Sequence, residues 1–268
     1  METNLLKGKN GIIFGALDES SIAWKIALAC HRAGARFTLS NAPIALRMGG
    51  IQDLAKICET EVISADATSS SDLEDLAKRS VSFLGAKIDF VLHSIGMSPN
   101  VRKKKDYRTL NTDWYLKTLD ISALSFYKII QTLDRLDLLN EWASILGISY
   151  VAAQRTFPLY ADMAEAKAVL ESIARSYGYH LGKAKKIRVN TLSQSPTPTR
   201  AGTGIPGFQP LFEYTEKIAP LGNATAEECA LYCVFLFSDM SRKVTMQNLY
   251  HDGGFSSTGL SLDVLDKS

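Results

Sequence analysis

The 268-residue chain contains no apolar run approaching the roughly 18 residues that a membrane span needs. Its opening stretch from Met1 to Asn10 has no long apolar segment of the secretory kind. Charge of one sign is not in excess either, with 30 basic against 28 acidic residues interspersed along the chain, so no domain-wide basic face for nucleic acid is expected. Arg102, Lys103, Lys104 and Lys105 form the one strong basic run, which reads as a solvated loop or, alternatively, as a contact for an acidic partner. Cysteine is sparse: Cys30, Cys58, Cys229 and Cys233 lie at apolar positions without a pairing framework. Cys229 and Cys233 are one helical turn apart, but no histidine cluster joins them, so buried free thiols are expected rather than disulfides or a metal site. The expectation is a soluble, cytoplasmic protein that binds no metal, nucleic acid or membrane.

What the chain does have is apolar residues, 46% of the total and enough for a sizeable core. Short apolar runs at 11–15, 36–40, 61–65, 88–93, 143–147, 186–190 and 247–251 read as strands. Helical spacing fills the intervals, at 22–33, in a long stretch from Asn111 to about Leu138, and from Pro158 to about Leu181. Alternating strands and helices of this kind predict an α/β fold, a Rossmann-like doubly wound parallel sheet of about seven strands with helices on both faces. No linker or internal repeat divides the chain, so residues 1–268 read as one domain. Ser193 to Pro210 holds four prolines and three glycines without periodicity and reads as a long irregular loop, and we take residues 193–218 as a mobile flap over the substrate.

Tyr160 and Lys167 carry the strongest chemical signal. On a helix, seven positions are about two turns, so the two side chains would share a face. An ammonium beside a phenol favours the phenolate, and a phenol can donate a hydrogen bond or a proton to a developing oxyanion. Tyr150 lies ten residues upstream of Tyr160. Gly15-Ala-Leu-Asp-Glu-Ser-Ser21-Ile22-Ala23 joins the first strand to the first helix, where doubly wound folds place a dinucleotide pyrophosphate, although the G-x-G-x-x-G spacing is absent. An ordinary turn capped by Ser20 or Ser21 is the alternative. Asp66 could equally cap the helix that follows it. His93 and His251 read as structural histidines at strand ends, and Asp162 and Glu165 as residues of an exposed helix face.

Five segments together resemble the enoyl-acyl-carrier-protein reductases of the short-chain dehydrogenase/reductase superfamily. They are Gly15 with Ser21-Ile22-Ala23; Val91-Leu-His93-Ser94-Ile95-Gly96; Ser149-Tyr150 through Pro158-Leu-Tyr160 to Lys167; Ile187-Arg188-Val189-Asn190; and His251-Asp252-Gly253-Gly254-Phe255. Ordinary members of the superfamily carry a closer Tyr–Lys pair; the wider spacing with a second upstream tyrosine is similar to the enoyl reductase branch. The resemblance implies hydride transfer from NADH to the β-carbon of a trans-2-enoyl thioester, with NADPH left open. It implies that Tyr160 binds the thioester oxygen and stabilises the enolate, that Lys167 holds the nicotinamide ribose, and that Tyr150 lines the acyl pocket and assists proton transfer. It places Gly15, Ser21 and Ile22 at the pyrophosphate, Asp66 and Ala67 at the adenine, and Ser94, Ile95 and Gly96 beside the cofactor. Thr197, Thr199 and Ala201 would close over the cofactor at the start of the flap, and Ser98 would join Tyr150 and Tyr160 at the substrate.

Departures from the family pattern are also visible. Ser195 stands where many relatives have glycine beside the nicotinamide. After the second strand, Ser40-Asn41-Ala42-Pro43 offers no carboxylate for the adenine ribose, and Arg47 lies a few residues on. The flap lacks the basic cluster that some relatives show. Acyl carrier protein, the implied partner, is acidic, so Arg200, Lys217 or the Lys103 run are candidates to meet it. Phe235, Leu236, Phe237 and Leu249 fit the superfamily's habit of forming homotetramers, and would serve equally inside a monomer. A carbonyl reductase or alcohol dehydrogenase of the same superfamily, with Ser149 binding the carbonyl, and a non-catalytic nucleotide-binding scaffold are the competing readings.

Overall fold

The computed structural model describes residues 4–47, 49–205 and 207–265. Met1–Thr3 of the stretch read for a signal, and Pro206 of the flap, lie outside them. Seven strands form one sheet: β1 (Asn10–Phe14), β2 (Arg36–Asn41), β3 (Val62–Ser64), β4 (Ile88–His93), β5 (Leu139–Ser149), β6 (Arg188–Gln194) and β7 (Asn248–His251). Their order is β3-β2-β1-β4-β5-β6-β7 and neighbouring strands pair in parallel. The register levels the carboxyl ends, with Phe14 opposite both Ser40 and His93, His93 opposite Gly147, Ser149 opposite Ser193, and Gln194 opposite His251. The order reverses between β1 and β4, and a crevice at such a point is where open α/β sheets bind ligands.

The helices are α1 (Ile22–Arg32), α2 (Pro43–Leu46), α3 (Ile51–Ile57), α4 (Ser70–Leu84), α5 (Pro99–Arg102), α6 (Thr112–Leu119), α7 (Ser125–Arg135), α8 (Met163–Lys185), α9 (Arg200–Thr203), α10 (Phe208–Ile218), α11 (Ala226–Phe237) and α12 (Leu262–Leu265). Two apolar layers flank the sheet. One packs Trp24, Ile26 and Cys30 of α1 with Cys229, Cys233 and Phe237 of α11; the other packs Leu73 and Leu76 of α4, Phe126 and Ile130 of α7, and Leu170 and Ala174 of α8. A strand buried on both faces must be apolar or have its polar groups paired, and β1 shows the first solution from Gly11 to Phe14, all of them buried. β6 shows the second. The Arg188 guanidinium is buried and donates to Leu236 O at 2.9 Å and to Ser241 Oγ, and Asn190 Nδ2 donates to Val244 O at 2.9 Å.

Two expectations change here. The long helix predicted over 111–138 is α6 and α7 joined by a π-helical turn at Asp120–Leu124. Inside this segment the Ser125 hydroxyl donates to Ile121 O at 2.6 Å, and Ser122 Oγ accepts from Met97 N at 3.0 Å. The stretch 193–210 is not irregular throughout, since α9 lies within it and α10 begins at Phe208. Leu236 and Phe237, read as fitting either a subunit contact or a monomer's interior, lie in the core at 1% exposure. The four cysteines are buried free thiols, as expected, with burial pushing the Cys58 thiol up to about 12. Among the described residues no helix is long and apolar enough to cross a membrane.

Candidate active site

Gly15 closes the floor of the crevice. Its φ is +97°, a left-handed conformation that glycine adopts without strain, and a Cβ there would stand 2.1 Å from Ser94 O. The backbones that leave β1 and β4 therefore touch. Beyond Gly15, Ser21 Oγ accepts from Leu17 N and Asp18 N, both at 3.2 Å, and so folds the loop instead of capping α1. No side chain caps α1 and no acidic residue occupies its first turn, so the amides after Ser21 and Ile22 present a partial positive charge to an anion. The flap reaches this loop. Arg200 N donates to Ser20 Oγ at 3.0 Å, and the Arg200 guanidinium lies 3.8 Å from the Asp18 carboxylate.

Tyr150 follows the last residue of β5. It is 8% exposed, and its hydroxyl has no hydrogen-bond partner among the described residues. A buried hydroxyl left unpaired costs free energy, and in a crevice it marks a place for a ligand atom. Its ring packs 5.1 Å from that of Tyr160 and 5.2 Å from that of Phe157, centroid to centroid. Burial pushes both tyrosine phenols well above their ordinary range, for Tyr150 with a further push from Tyr160. Both stay protonated at neutral pH, so they can donate but cannot act as bases.

Lys167 lies in the second turn of α8, 7% exposed, with Nζ donating to Ile148 O at 2.7 Å. Burial brings its ammonium down to about 8, partly opposed by Glu171 one turn on. A Cβ added at Gly96 would stand 3.9 Å from Lys167 Nζ and 3.3 Å from Met163 Cε. The ends of β4 and β5 and the start of α8 therefore meet at one place, which brings together Gly96, Tyr150, Tyr160 and Lys167.

Tyr160 and Lys167 do not share a helix. Tyr160 sits in the turn before α8, which begins at Met163 and not at Pro158. Ala161 has φ +42°, a conformation outside the right-handed helix, which breaks the run. Nor does the cation favour the phenolate: burial governs Tyr160, and Lys167 points at a carbonyl of β5.

Two buried carboxylates were not found by sequence reasoning. Asp162, read as exposed, is fully buried and accepts from Ser98 Oγ at 2.6 Å, Asn100 Nδ2 at 2.8 Å and Thr118 Oγ1 at 2.8 Å. Glu165, read with it, is half-buried and accepts from the Tyr107 hydroxyl at 2.6 Å. Glu171 is 3% exposed and accepts from Ser149 Oγ at 2.7 Å and Gln154 Nε2 at 3.0 Å. Its signal was present in the sequence as an acid one turn beyond Lys167, on the same helix face.

The other candidates fall as follows. Ser98 is buried, with its hydroxyl given to Asp162, and it caps α5 by accepting from Val101 N. Asp66 is exposed at the end of β3 and accepts from Thr68 N and Thr68 Oγ1 at 2.9 and 2.7 Å; α4 is capped by Ser69 instead. Ala67 is buried beside it, and Ser94 and Ile95 are half-buried along the crevice. Thr197 is buried at the root of the flap, Thr199 caps α9 by accepting from Gly202 N at 2.9 Å, and Ala201 is exposed. Ser195 Oγ accepts from Ala224 N at 2.8 Å and donates to Ala224 O at 3.3 Å, so this hydroxyl is spent within the fold. His93 is fully buried, its Nε2 2.8 Å from Ser125 Oγ, and desolvation lowers it to about 3. His251 Nδ1 lies 2.7 Å from Gln194 Oε1. Both histidines are structural.

Comparison with known proteins points the same way. The family model of enoyl-(acyl carrier protein) reductase matches residues 15–256. The chain is 33% identical to the NADH-dependent enoyl-acyl-carrier-protein reductase 1 of Rhizobium meliloti over 264 residues, 96% of this chain and 94% of that protein. It is 31% identical to the corresponding Bacillus subtilis enzyme, covering 94% and 98% of the two chains. Among solved structures, the FabI–NADH complex of Alistipes finegoldii superposes with a TM-score of 0.97 at 56% identity, covering 99% of this chain and 94% of that one. The chain belongs to the enoyl-acyl-carrier-protein reductase family, within the short-chain dehydrogenase/reductase superfamily.

Proposed function

We propose that the chain reduces the C=C bond of trans-2-enoyl-acyl-carrier-protein thioesters with NADH, in fatty-acid elongation. The observation that carries this reading is the Tyr150 hydroxyl, buried, unpaired and in ring contact with Tyr160. The crevice fits a dinucleotide: uncapped amides at α1, a glycine floor at Gly15, open backbone at Gly96 and a buried ammonium at Lys167. When bound, NADH supplies the hydride that adds to the β-carbon. Gly15, Ser21 and Ile22 would hold its pyrophosphate, Asp66 and Ala67 its adenine, Lys167 its nicotinamide ribose, and Thr197, Thr199 and Ala201 would cover it. Ser94, Ile95 and Gly96 would line its path across the sheet.

The protein's own contribution is donor placement. As charge grows on the thioester oxygen, Tyr160 donates to it, and a fixed donor in a dry site stabilises that charge without reorganising. Tyr150 lines the acyl pocket and offers a second protonated phenol. Ser149, the residue a carbonyl reductase would turn to its substrate, gives its proton to Glu171 instead. This favours C=C over C=O reduction. We read residues 1–268 as one reductase domain with a flap at 193–218, acting in the cytoplasm as a homotetramer.

The test is oxidation of NADH, followed against NADPH, with a crotonyl thioester and identification of the saturated product. Tyr160→Phe should lower kcat by about 10²–10³, the usual cost of losing one such donor, with little change in NADH affinity. Parent-like turnover in that variant, or consumption of a ketone in place of the enoyl thioester, would exclude the proposed chemistry.

A further inference from the structure

The notable surface feature beside the site is the strip Arg102–Lys105. All four side chains are exposed, and none forms an ion pair among the described residues. Some cations elsewhere are paired, Lys25 with Glu227 at 2.9 Å, Lys128 with Asp120 at 2.6 Å and Lys185 with Asp137 at 2.8 Å; in the strip, four adjacent ones are not. The strip is also held in shape. Lys103, Lys104 and Lys105 donate their backbone N–H groups to Pro99, Val101 and Asn100 at 3.0, 3.0 and 3.1 Å.

Its position is set by two anchors. Val101, immediately before the strip, is 5% exposed and packs in a small apolar cluster with Ala161 and Met163, against which Tyr160 and Ile205 of the flap also pack. Asn100 donates to the buried Asp162, two residues after Tyr160. The strip therefore begins one residue after a side chain clustered with Tyr160 and the flap. On the flap itself, α10 carries Glu213 and Glu216 against Lys217, and Arg200 is engaged with Asp18. The flap helix thus carries one net negative charge and the strip four positive ones, so an acidic body is drawn to the strip and not to the flap helix.

We propose that Arg102, Lys103, Lys104 and Lys105 form the docking surface for the acidic acyl carrier protein, placing the carrier on the β4–α5 side of the mouth instead of on the flap. This rests on the reductase reading above. A patch of unpaired charge accelerates encounter by roughly 10- to 1,000-fold and loses that effect as salt rises. The strip touches no part of the reacting acyl group, so its contribution is confined to substrates delivered on the carrier.

The experiment compares the parent with the triple variant Lys103→Glu/Lys104→Glu/Lys105→Glu on two crotonyl thioesters, one on acyl carrier protein and one on uncharged N-acetylcysteamine. We expect kcat/KM on the carrier substrate to fall at least 10-fold, with the small thioester unchanged within about twofold. Raising ionic strength should erode carrier turnover by the parent but not by the variant. The single variants Lys103→Glu and Lys105→Glu should each show part of the loss, which guards against misfolding of the triple. Equal losses on both thioesters, or no loss on either, overturn the docking role. If the parent oxidises NADH with neither thioester, the reductase reading fails and the docking role falls with it.

Discussion

Asp162 offers the sharpest test of the physical account. Replacing it with alanine removes one acceptor for three donors in a fully buried place. A hydrogen bond to a charged group contributes about 1.5–3 kcal/mol net, and a buried donor left unpaired costs about 1–3 kcal/mol. The three losses are unequal. Asn100 Nδ2 keeps Asn111 O at 3.1 Å, and Thr118 Oγ1 keeps Trp114 O at 2.8 Å. Ser98 has no second acceptor among the described residues, so its hydroxyl bears the full penalty. We expect Asp162→Ala to lose about 3–5 kcal/mol, out of the 5–15 kcal/mol typical of a folded protein. Asp162→Asn keeps one oxygen for Asn100 and Thr118 and should lose only about 1–2 kcal/mol. Urea unfolding measures both, as shifts of midpoint at unchanged slope. An alanine variant within about 1 kcal/mol of the parent would refute the reasoning, since three buried donors would then be satisfied elsewhere.

Lys167→Met should make the cofactor-free protein more stable at neutral pH while abolishing turnover. The lysine falls from 10.5 unfolded to about 8 folded, so between those values the unfolded chain holds the extra proton and stability rises with pH. The penalty removed below pH 8 is about 3 kcal/mol at 1.36 kcal/mol per pH unit, less roughly 1 kcal/mol for the lost bond to Ile148 O. The variant's advantage should shrink as pH rises from 8 to 10.5, and an advantage independent of pH would contradict it. Ser195→Gly should lose about 1–2 kcal/mol through its bonds to Ala224 and leave NADH affinity unchanged; a tenfold change in Kd would place this hydroxyl at the cofactor.

How far the sequence reached depended on where each residue's partners lie. β1 and β4 were legible because a strand covered on both faces reads as a largely apolar run. β6 was caught only at its start, since Thr191, Ser193 and Gln194 are buried polar residues and several β6 partners lie near 236–251. The helix in the flap was masked by proline. Phe208, Leu211, Phe212, Thr215 and Ile218 hold helical spacing, and Pro210 falls in the first turn, where a missing N–H costs little. The π-helical turn was illegible because hydroxyl bonds to Met97 and Ile121 shape it. In the site, the residue types were recognisable but the geometry was not, since Tyr160 reaches the crevice on a turn that Asp162 fixes from beyond it.

Glu171 shows how one buried carboxylate separates two chemistries that share this fold. It sits one turn after Lys167 on α8 and accepts hydrogen bonds from both Ser149 and Gln154. Gln154 in turn accepts from the Tyr250 hydroxyl of β7 at 2.6 Å. The chain leaving β5 is thus held between α8 and β7, and Tyr150 lies between the two residues so held. Each hydroxyl has one proton to give. With that of Ser149 committed and that of Tyr150 uncommitted, the donor nearest the end of β5 is a phenol kept neutral by burial. A polarised carbonyl awaiting direct hydride attack calls for a donor at Ser149. A thioester oxygen that becomes negative only as the β-carbon is reduced calls for donors set back along the acyl chain, and Tyr150 and Tyr160 form that pair.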